Sequence, residues 1–85
     1  MMYATITTEG KADDGVANAI RFAGEASVAF AENGDQFERG LVEGVIHALR
    51  AMGHVVCPVY EGSPLSMVYV DECKYIINYD AGAAK

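Results

Sequence analysis

The stretch QFERGLVEGVIHALRAMGH, residues 36–54, decides the predicted fold because several independent signals mark it as one amphipathic helix. Asp35 is a good N-cap residue, and Glu38 follows it at the capping-box spacing. Gly53 stands where helices commonly end in a left-handed residue. On a helical wheel the apolar residues gather on one side, which consists of Phe37, Leu41, Val45, Ala48, Leu49 and Met52 and is extended by Val42 and Ile46. We therefore predict a helix over residues 35–53 that packs on a sheet.

Two glycines interrupt this helix and raise the question of what lies beside it. Gly40 and Gly44 each cost about 1 kcal/mol relative to alanine, and close approach of another backbone is the usual reason for such glycines. The first interpretation is that the glycines rest on the protein's own sheet. The second is a homodimer contact, and the third is a contact with a foreign partner. The predicted self-association surface consists of Gly40, Gly44, His47 and Ala51.

Residues 16–32, VANAIRFAGEASVAFAE, give two conflicting signals. Their six alanines favour a helix. Their large apolar residues, however, form no single helical face, whereas on a strand template Ile20, Phe22, Val28 and Phe30 all point one way. Gly24 and Glu25 can supply a hairpin turn. We take two short antiparallel strands as the primary prediction and a second helix as the alternative.

Four further strands are predicted, in residues 2–8, 54–62, 65–70 and 73–79. Pro58 cannot donate a ladder hydrogen bond, which places its strand at an edge, a bulge or a strand end. The last two strands form the clearest hairpin, with Asp71 and Glu72 at its turn. One face is predicted to carry Leu65, Met67 and Tyr69, and the next strand to show Tyr75, Ile77 and Tyr79.

These elements predict an α+β fold of order β-β-β-α-β-β-β, a mostly antiparallel sheet with one amphipathic helix. The alternative order, with residues 16–32 helical, is β-α-α-β-β-β. Residues 1–80 are expected to form a single compact domain, and residues 81–85, AGAAK, a frayed C-terminal tail.

Composition restricts the class of protein. The 85 residues are 52% hydrophobic, which supports one domain with a real core. The net charge is −6, and no cluster of Lys and Arg is available for a phosphate backbone, so direct nucleic-acid binding is not expected. Two cysteines, no basic leader and no apolar run of about 20 residues predict a cytoplasmic protein without a membrane span.

No sequence motif indicates catalysis or a bound cofactor. Glycine-rich phosphate-binding patterns do not occur. Cys57, Cys73 and the two histidines match no common zinc module. Glu43 and His47 have the i, i+4 spacing of a weak two-ligand site, but a solvated helix face explains the same residues. We therefore predict no metal site, no cofactor and no enzymatic activity.

The residues expected to contact a partner are acidic or aromatic. Tyr69 and Tyr75, on either side of the hairpin turn, are predicted to be exposed anchors. The predicted partner-binding residues are Asp13, Asp14, Glu43, Tyr69, Asp71, Glu72 and Tyr75. They predict a small acidic, non-catalytic protein-binding module that docks on a basic surface of a partner protein.

One form of this module is an inhibitor that occupies the nucleic-acid groove of its partner, with carboxylates where phosphates would lie. In size, charge and absence of motifs the chain is similar in general character to phage-encoded inhibitors such as anti-CRISPR proteins. No residue pattern carries that likeness, so it implies no site.

Two alternative functions belong to other classes. One is a small homodimeric enzyme or ligand sensor with a pocket between helix and sheet, where Glu43, His47 and Tyr69 would supply the polar groups. The other is a structural subunit of a larger assembly that pairs through free strand edges.

Overall fold

In the described part of the chain, two helices pack on one face of a four-stranded antiparallel sheet. A computed structural model describes residues 4–34, 36–62 and 64–79. The elements are β1 (Ala4–Glu9), α1 (Asp14–Asn33), α2 (Gln36–Ala51), β2 (Val56–Tyr60), β3 (Leu65–Val70) and β4 (Cys73–Tyr79). The strand order is β1-β4-β3-β2, with every neighbouring pair antiparallel. The α+β class is confirmed, and the order β-α-α-β-β-β is the one given as the alternative. The predicted tail, residues 81–85, lies outside the described residues.

The prediction of a hairpin in residues 16–32 is wrong, because this segment lies within α1. The Asp13 side chain caps the start of the helix, where its Oδ1 accepts from the Val16 N–H at 3.1 Å. Gly34 ends it in the left-handed conformation, with φ of 68° and an N–H bond of 2.6 Å to the Phe30 carbonyl. Both ends of α1 are therefore capped by residues typical of helix ends.

Small residues bring α1 close to the sheet. Ile20 and Ala23 are fully buried, and a side chain at Gly24 would be crowded between α1 and β4. A Cβ placed there would lie 3.0 Å from both Ile77 Cγ2 and Tyr79 Oη. A close approach at a helix glycine, which the sequence suggested for the second helix, therefore occurs in the first, and the neighbouring atoms are side-chain atoms of β4.

The second helix ends as expected, and its buried stripe is rotated from the expected one. Gly53 has φ of 97°, and the His54 and Gly53 N–H groups bond to the Leu49 and Arg50 carbonyls at 3.2 and 3.0 Å, a Schellman motif. The buried residues are Val42, Ile46 and Leu49. Two members of the predicted apolar side are mostly exposed, Phe37 at 69% and Met52 at 71%. The predicted N-cap, Asp35, lies outside the described residues.

The glycines of α2 do not rest on the sheet. A Cβ built on Gly40 or on Gly44 would have no atom within 4 Å outside the helix's own backbone, so the first interpretation of these residues is wrong. The physical reason is that the helix turns Val42, Ile46 and Leu49 towards the core and leaves both glycines on its outer side.

The β3–β4 hairpin has the predicted strand bounds, but the face assignment on β3 is wrong. Tyr75 and Ile77 are buried beneath the helices, as is Leu65, whereas Met67 and Tyr69 belong to the open face. The pairing of β2 with β3 shifts between Val59 and Tyr60, opposite Leu65. This irregularity interrupts the alternation that the sequence prediction assumed.

Pro58 lies in β2, an edge strand of the sheet, which confirms one of its three expected positions. Neither α1 nor α2, the two helices of the described residues, combines the length and apolar character needed to cross a bilayer.

Candidate functional site

A cleft at one end of the molecule gathers ionisable groups from three segments. It lies where the loop before α1, the loop after α2 and the β3–β4 turn meet, and its volume is about 470 Å³. Its lining residues are Gly10, Lys11, Asp13, Val16, His54, Val70, Asp71, Glu72, Cys73 and Tyr75. Three carboxylates thus face one ammonium group and one imidazole.

The loop before α1 is held tightly against the start of β4. The Asp13 N–H donates to the Tyr75 hydroxyl at 3.0 Å. Gly10 has φ of 113°, and a Cβ there would lie 3.1 Å from the Glu72 carbonyl oxygen, so only glycine fits both the conformation and the space. Burial raises the pKa of Tyr75, which keeps the hydroxyl protonated at neutral pH. These contacts fix Asp13 beside the turn that carries Asp71 and Glu72.

Asp71 completes the end of the β2–β3 ladder with its side chain. Its N–H donates to the Val55 carbonyl at 2.8 Å, while its Oδ1 accepts from the Val55 N–H at 2.9 Å. The positive φ of 56° at Asp71 belongs to the sharp turn, and here the carboxylate takes the place of a main-chain acceptor. Its Oδ2 lies 2.9 Å from His54 Nδ1.

These bonds keep Asp71 ionised. The hydrogen bond from His54, followed by the one from the Val55 N–H, lowers the pKa of Asp71 below its ordinary value of 3.8. The cleft therefore keeps this negative charge at neutral and mildly acidic pH. His54 is held beside it, between the end of α2 and the start of β2.

The structure brings together part of the predicted partner-binding set. Asp13, Asp71 and Glu72 line the same cleft, although the first lies far from the other two in sequence. Asp14 is the exposed first residue of α1, directly after the capping residue Asp13. Glu43 lies elsewhere, on α2, where it pairs with Arg39 at 3.2 Å.

The two tyrosines predicted as exposed anchors differ from each other. Tyr69 lies on the open sheet face and is 40% exposed, with Lys74 Nζ 5.8 Å from its ring centroid. Tyr75 is only 2% exposed, so its predicted role as an exposed anchor is wrong. The alternation of β4 turns Tyr75 towards the helices, where its hydroxyl bonds to Asp13.

The remaining predicted residues lie on the outside of α2. Gly40, Gly44, His47 and Ala51 are all exposed on this helix, and self-association through them stays a prediction. The pocket imagined for a ligand sensor does not unite its three residues, because Glu43 and His47 are on α2 and Tyr69 is on the sheet face away from both helices.

Sequence reasoning did not assign His54 or Lys11 to a site. Gly53 predicts where α2 ends, but the contact of His54 with Asp71 spans 17 positions and depends on the pairing of β2 with β3. Within residues 4–34, 36–62 and 64–79, no three His, Cys, Asp or Glu side chains are arranged to hold a metal ion. Cys57 is exposed on the open sheet face and Cys73 is buried on the other face.

Comparisons with protein-family models, with curated proteins and with solved structures found no match to this chain. The function of this chain is therefore inferred from the geometry of the cleft and from the distribution of charge.

Proposed function

We propose that this protein is a small acidic, non-catalytic protein-binding module that docks on a basic surface of a partner protein through the cleft at the α1 N-terminus. The observation that supports this most directly is the convergence of Asp13, Asp71 and Glu72 on one cleft. A surface of this kind attracts a cationic partner over a distance comparable with the Debye length, about 8–10 Å at physiological salt.

The ion pairs of the described residues leave the carboxylates of the cleft without a Lys or Arg partner. Outside the cleft, three acidic side chains are offset by nearby cations, in the pairs Arg21–Glu25, Arg39–Glu43 and Lys74–Glu9. In the cleft, Asp13 and Glu72 have no Lys or Arg within ion-pair distance among the described residues, and Asp71 has only His54. Lys11 offsets part of the charge, which leaves an excess of carboxylates at this end.

One form of this function is inhibition of a nucleic-acid-binding protein. The carboxylates of the cleft would contact Lys and Arg side chains that otherwise contact phosphates, and the partner would lose its nucleic acid by competition.

Charge reversal in the cleft, matched with reversal elsewhere, tests the proposal. Glu72 lines the cleft, and Asp14 is the first residue of α1, next to the lining residue Asp13. Both are exposed and their side chains make no hydrogen bond in the described part of the chain, so Asp14→Lys/Glu72→Lys keeps the side-chain bonds of the helix cap and of the turn. The control, Glu32→Lys/Glu61→Lys, makes the same change of net charge at exposed sites outside the cleft. The probe is an arginine-rich peptide titrated into labelled protein and followed by NMR.

We expect the peptide to shift the amide signals around the cleft first and to bind the cleft variant roughly tenfold more weakly than the control at low salt. Equal weakening in both variants, or shifts spread evenly over all acidic residues, would show that only net charge matters and would refute a cleft-centred docking site.

A further inference from the structure

The two edges of the sheet differ in which backbone groups they leave open. The two-residue turn at Asp71–Glu72 makes Val70 and Cys73 a hydrogen-bonded pair. Alternation along β4 then directs the main-chain groups of residues 74, 76 and 78 towards β1, where they meet residues 9, 7 and 5. The N–H and C=O groups of residues 4, 6 and 8 consequently point away from the sheet. The Ala4 N–H agrees with this direction, since it donates to Glu25 Oε2 at 3.3 Å.

The other edge, β2, is blocked against strand pairing. By the same alternation, residues 56, 58 and 60 point their main-chain groups outwards. Pro58 has no N–H to offer at the centre of this edge. The outward carbonyl of Val56 already accepts a bond of 2.9 Å from Arg50 Nη2. The shift of pairing between Val59 and Tyr60 further disrupts the edge.

The β1 edge has none of these protections at its centre. In the described residues, no protein group bonds to the outward N–H or C=O of Ile6 or Thr8. Residues 5–8, TITT, carry no charge and are all β-branched, which favours strand pairing. Thr8 is exposed although it lies on the side of the sheet that faces the helices. The helices thus leave this half of β1 uncovered.

We propose that the free edge of β1 pairs antiparallel with β1 of a second copy of this chain, so that the two four-stranded sheets form one continuous sheet. This interface does not depend on the proposed function of the cleft. It differs from the α2 surface that the sequence suggested for self-association, because it uses open backbone groups instead of a helix face.

A pairing centred on Ile6 has the two-fold symmetry of a homodimer and places no like charges opposite each other. Ile6 then meets Ile6 of the second copy, Thr5 meets Thr7, and Ala4 meets Thr8. Cross-strand pairs of threonine and of β-branched residues are favourable in sheets. No like charges oppose each other, because Glu9 lies beyond these pairs and is already 3.6 Å from Lys74 Nζ. A second copy is therefore a compatible occupant of this edge.

The antiparallel arrangement sets the positions of the two acidic clefts. Gly10, which follows β1 directly, lines the cleft, so each cleft lies at the C-terminal end of its own β1. In an antiparallel pair these ends are opposite each other. The dimer would therefore present two separated clefts and could contact a partner with repeated basic sites at both ends.

Two double variants test both the edge and the register. In the proposed register, Thr5→Lys/Thr7→Lys places lysines opposite lysines, whereas Thr5→Lys/Thr7→Glu places lysines opposite glutamates. Both residues are exposed, and both variants replace the Thr7 hydroxyl that accepts from Asn78, so neither change reaches the core of the monomer. Thr8→Pro additionally removes one outward N–H and leaves the β1–β4 ladder bonds in place.

The measurement is mass by light scattering over a wide concentration range, with circular dichroism to confirm folding and hydrogen exchange at the Ile6 and Thr8 amides. We expect the mass of the wild type and of Thr5→Lys/Thr7→Glu to approach twice 9.1 kDa with rising concentration. Thr5→Lys/Thr7→Lys and Thr8→Pro should stay monomeric, with fast exchange at the Ile6 amide, which both variants retain.

A wild-type protein that remains monomeric at every concentration overturns the proposal. A dimer that persists in both Thr5→Lys/Thr7→Lys and Thr8→Pro also overturns it, because the contact then lies elsewhere, for example on α2. Loss of association in both charge variants alike would reject the proposed register and with it the pairing centred on Ile6.

Discussion

Alanine at Gly24 and alanine at Gly44 should change stability in opposite directions, although both are interior helix glycines. Alanine is favoured over glycine in a helix by about 1 kcal/mol. At Gly44 a new Cβ meets no atom within 4 Å, so the full gain of about 1 kcal/mol is expected. At Gly24 the same Cβ would lie 3.0 Å from Tyr79 Oη and 3.0 and 3.2 Å from two carbons of Ile77.

The crowding at Gly24 outweighs the gain in helix propensity. Overpacking a well-packed core costs about 1–3 kcal/mol, which leaves a net loss of about 1 kcal/mol after the gain is subtracted. Tyr79 is poorly able to retreat, because its hydroxyl donates to the Leu65 carbonyl at 2.5 Å and lies 3.2 Å from the Gly24 carbonyl. The two variants should therefore differ by about 2 kcal/mol.

Urea unfolding of the wild type, Gly24→Ala and Gly44→Ala at one protein concentration measures this difference. The slopes should agree, so that the shift in midpoint reports stability alone. A Gly24→Ala protein as stable as Gly44→Ala would refute the tight approach of α1 to β4. A Gly44→Ala protein that is destabilised would show that the outer side of α2 is not open.

Three further changes test other parts of the structure. Ser27→Ala removes the Ser27 hydroxyl, which accepts a bond of 2.9 Å from the buried Leu65 N–H. The free energy of unfolding in urea titrations should fall by about 1–3 kcal/mol. A change below experimental error would contradict the role of this hydroxyl. Asp71→Asn should lower stability at neutral pH, because the ionised carboxylate is bonded by His54. Because folding lowers the pKa of Asp71, the wild type should be more stable than the variant above pH 3.8, and this difference in stability should disappear as the pH falls below that value. A difference in stability that persists in strong acid would contradict this assignment. Pro58→Val should restore an outward N–H on β2 and increase association in light scattering, and an unchanged mass would show that the proline does not block this edge.

The features that the sequence predicted correctly depend on short-range signals. The bounds of β3 and β4 follow from apolar alternation around the two-residue turn at Asp71–Glu72. The end of α2 follows from Gly53, whose left-handed conformation needs no tertiary contact. In both cases the residues that determine the structure are adjacent to it in the chain.

The sequence pattern does not reveal the first helix, because about half of its buried residues are alanine or serine. Ile20, Ala23 and Ser27 face the sheet, whereas Phe22 is about half exposed, so a search for large apolar side chains finds no helical face. The cap signals were present in the sequence, with Asp13 before the segment and Gly34 after it. Together with the six alanines, these caps favour a helix.

The sequence singled out the three carboxylates of the cleft, but not Lys11 or His54 and not the assembly of these residues. Charge and turn position predict that Asp13, Asp71 and Glu72 contact a partner, and this role stays a prediction. Their meeting depends on the pairing of β1 with β4, which brings Gly10 against Glu72, and on the bond from Asp13 to the Tyr75 hydroxyl. Such long-range pairings are not encoded in local periodicity.

The positions of the two helices relative to the sheet edges separate the proposed surfaces from each other. The first helix packs on β1, β3 and β4, and the second packs on β2 and on the first helix. In a dimer joined through β1, α1 would therefore lie near the two-fold axis, and α2 would lie at the outer edge of each subunit. Gly40 and Gly44 would stay exposed in that dimer, so their cost in helix propensity would not be offset by β1 pairing. A second association that survives in Thr8→Pro but is lost in Gly44→Leu would consequently assign these glycines to an independent contact on the outside of α2.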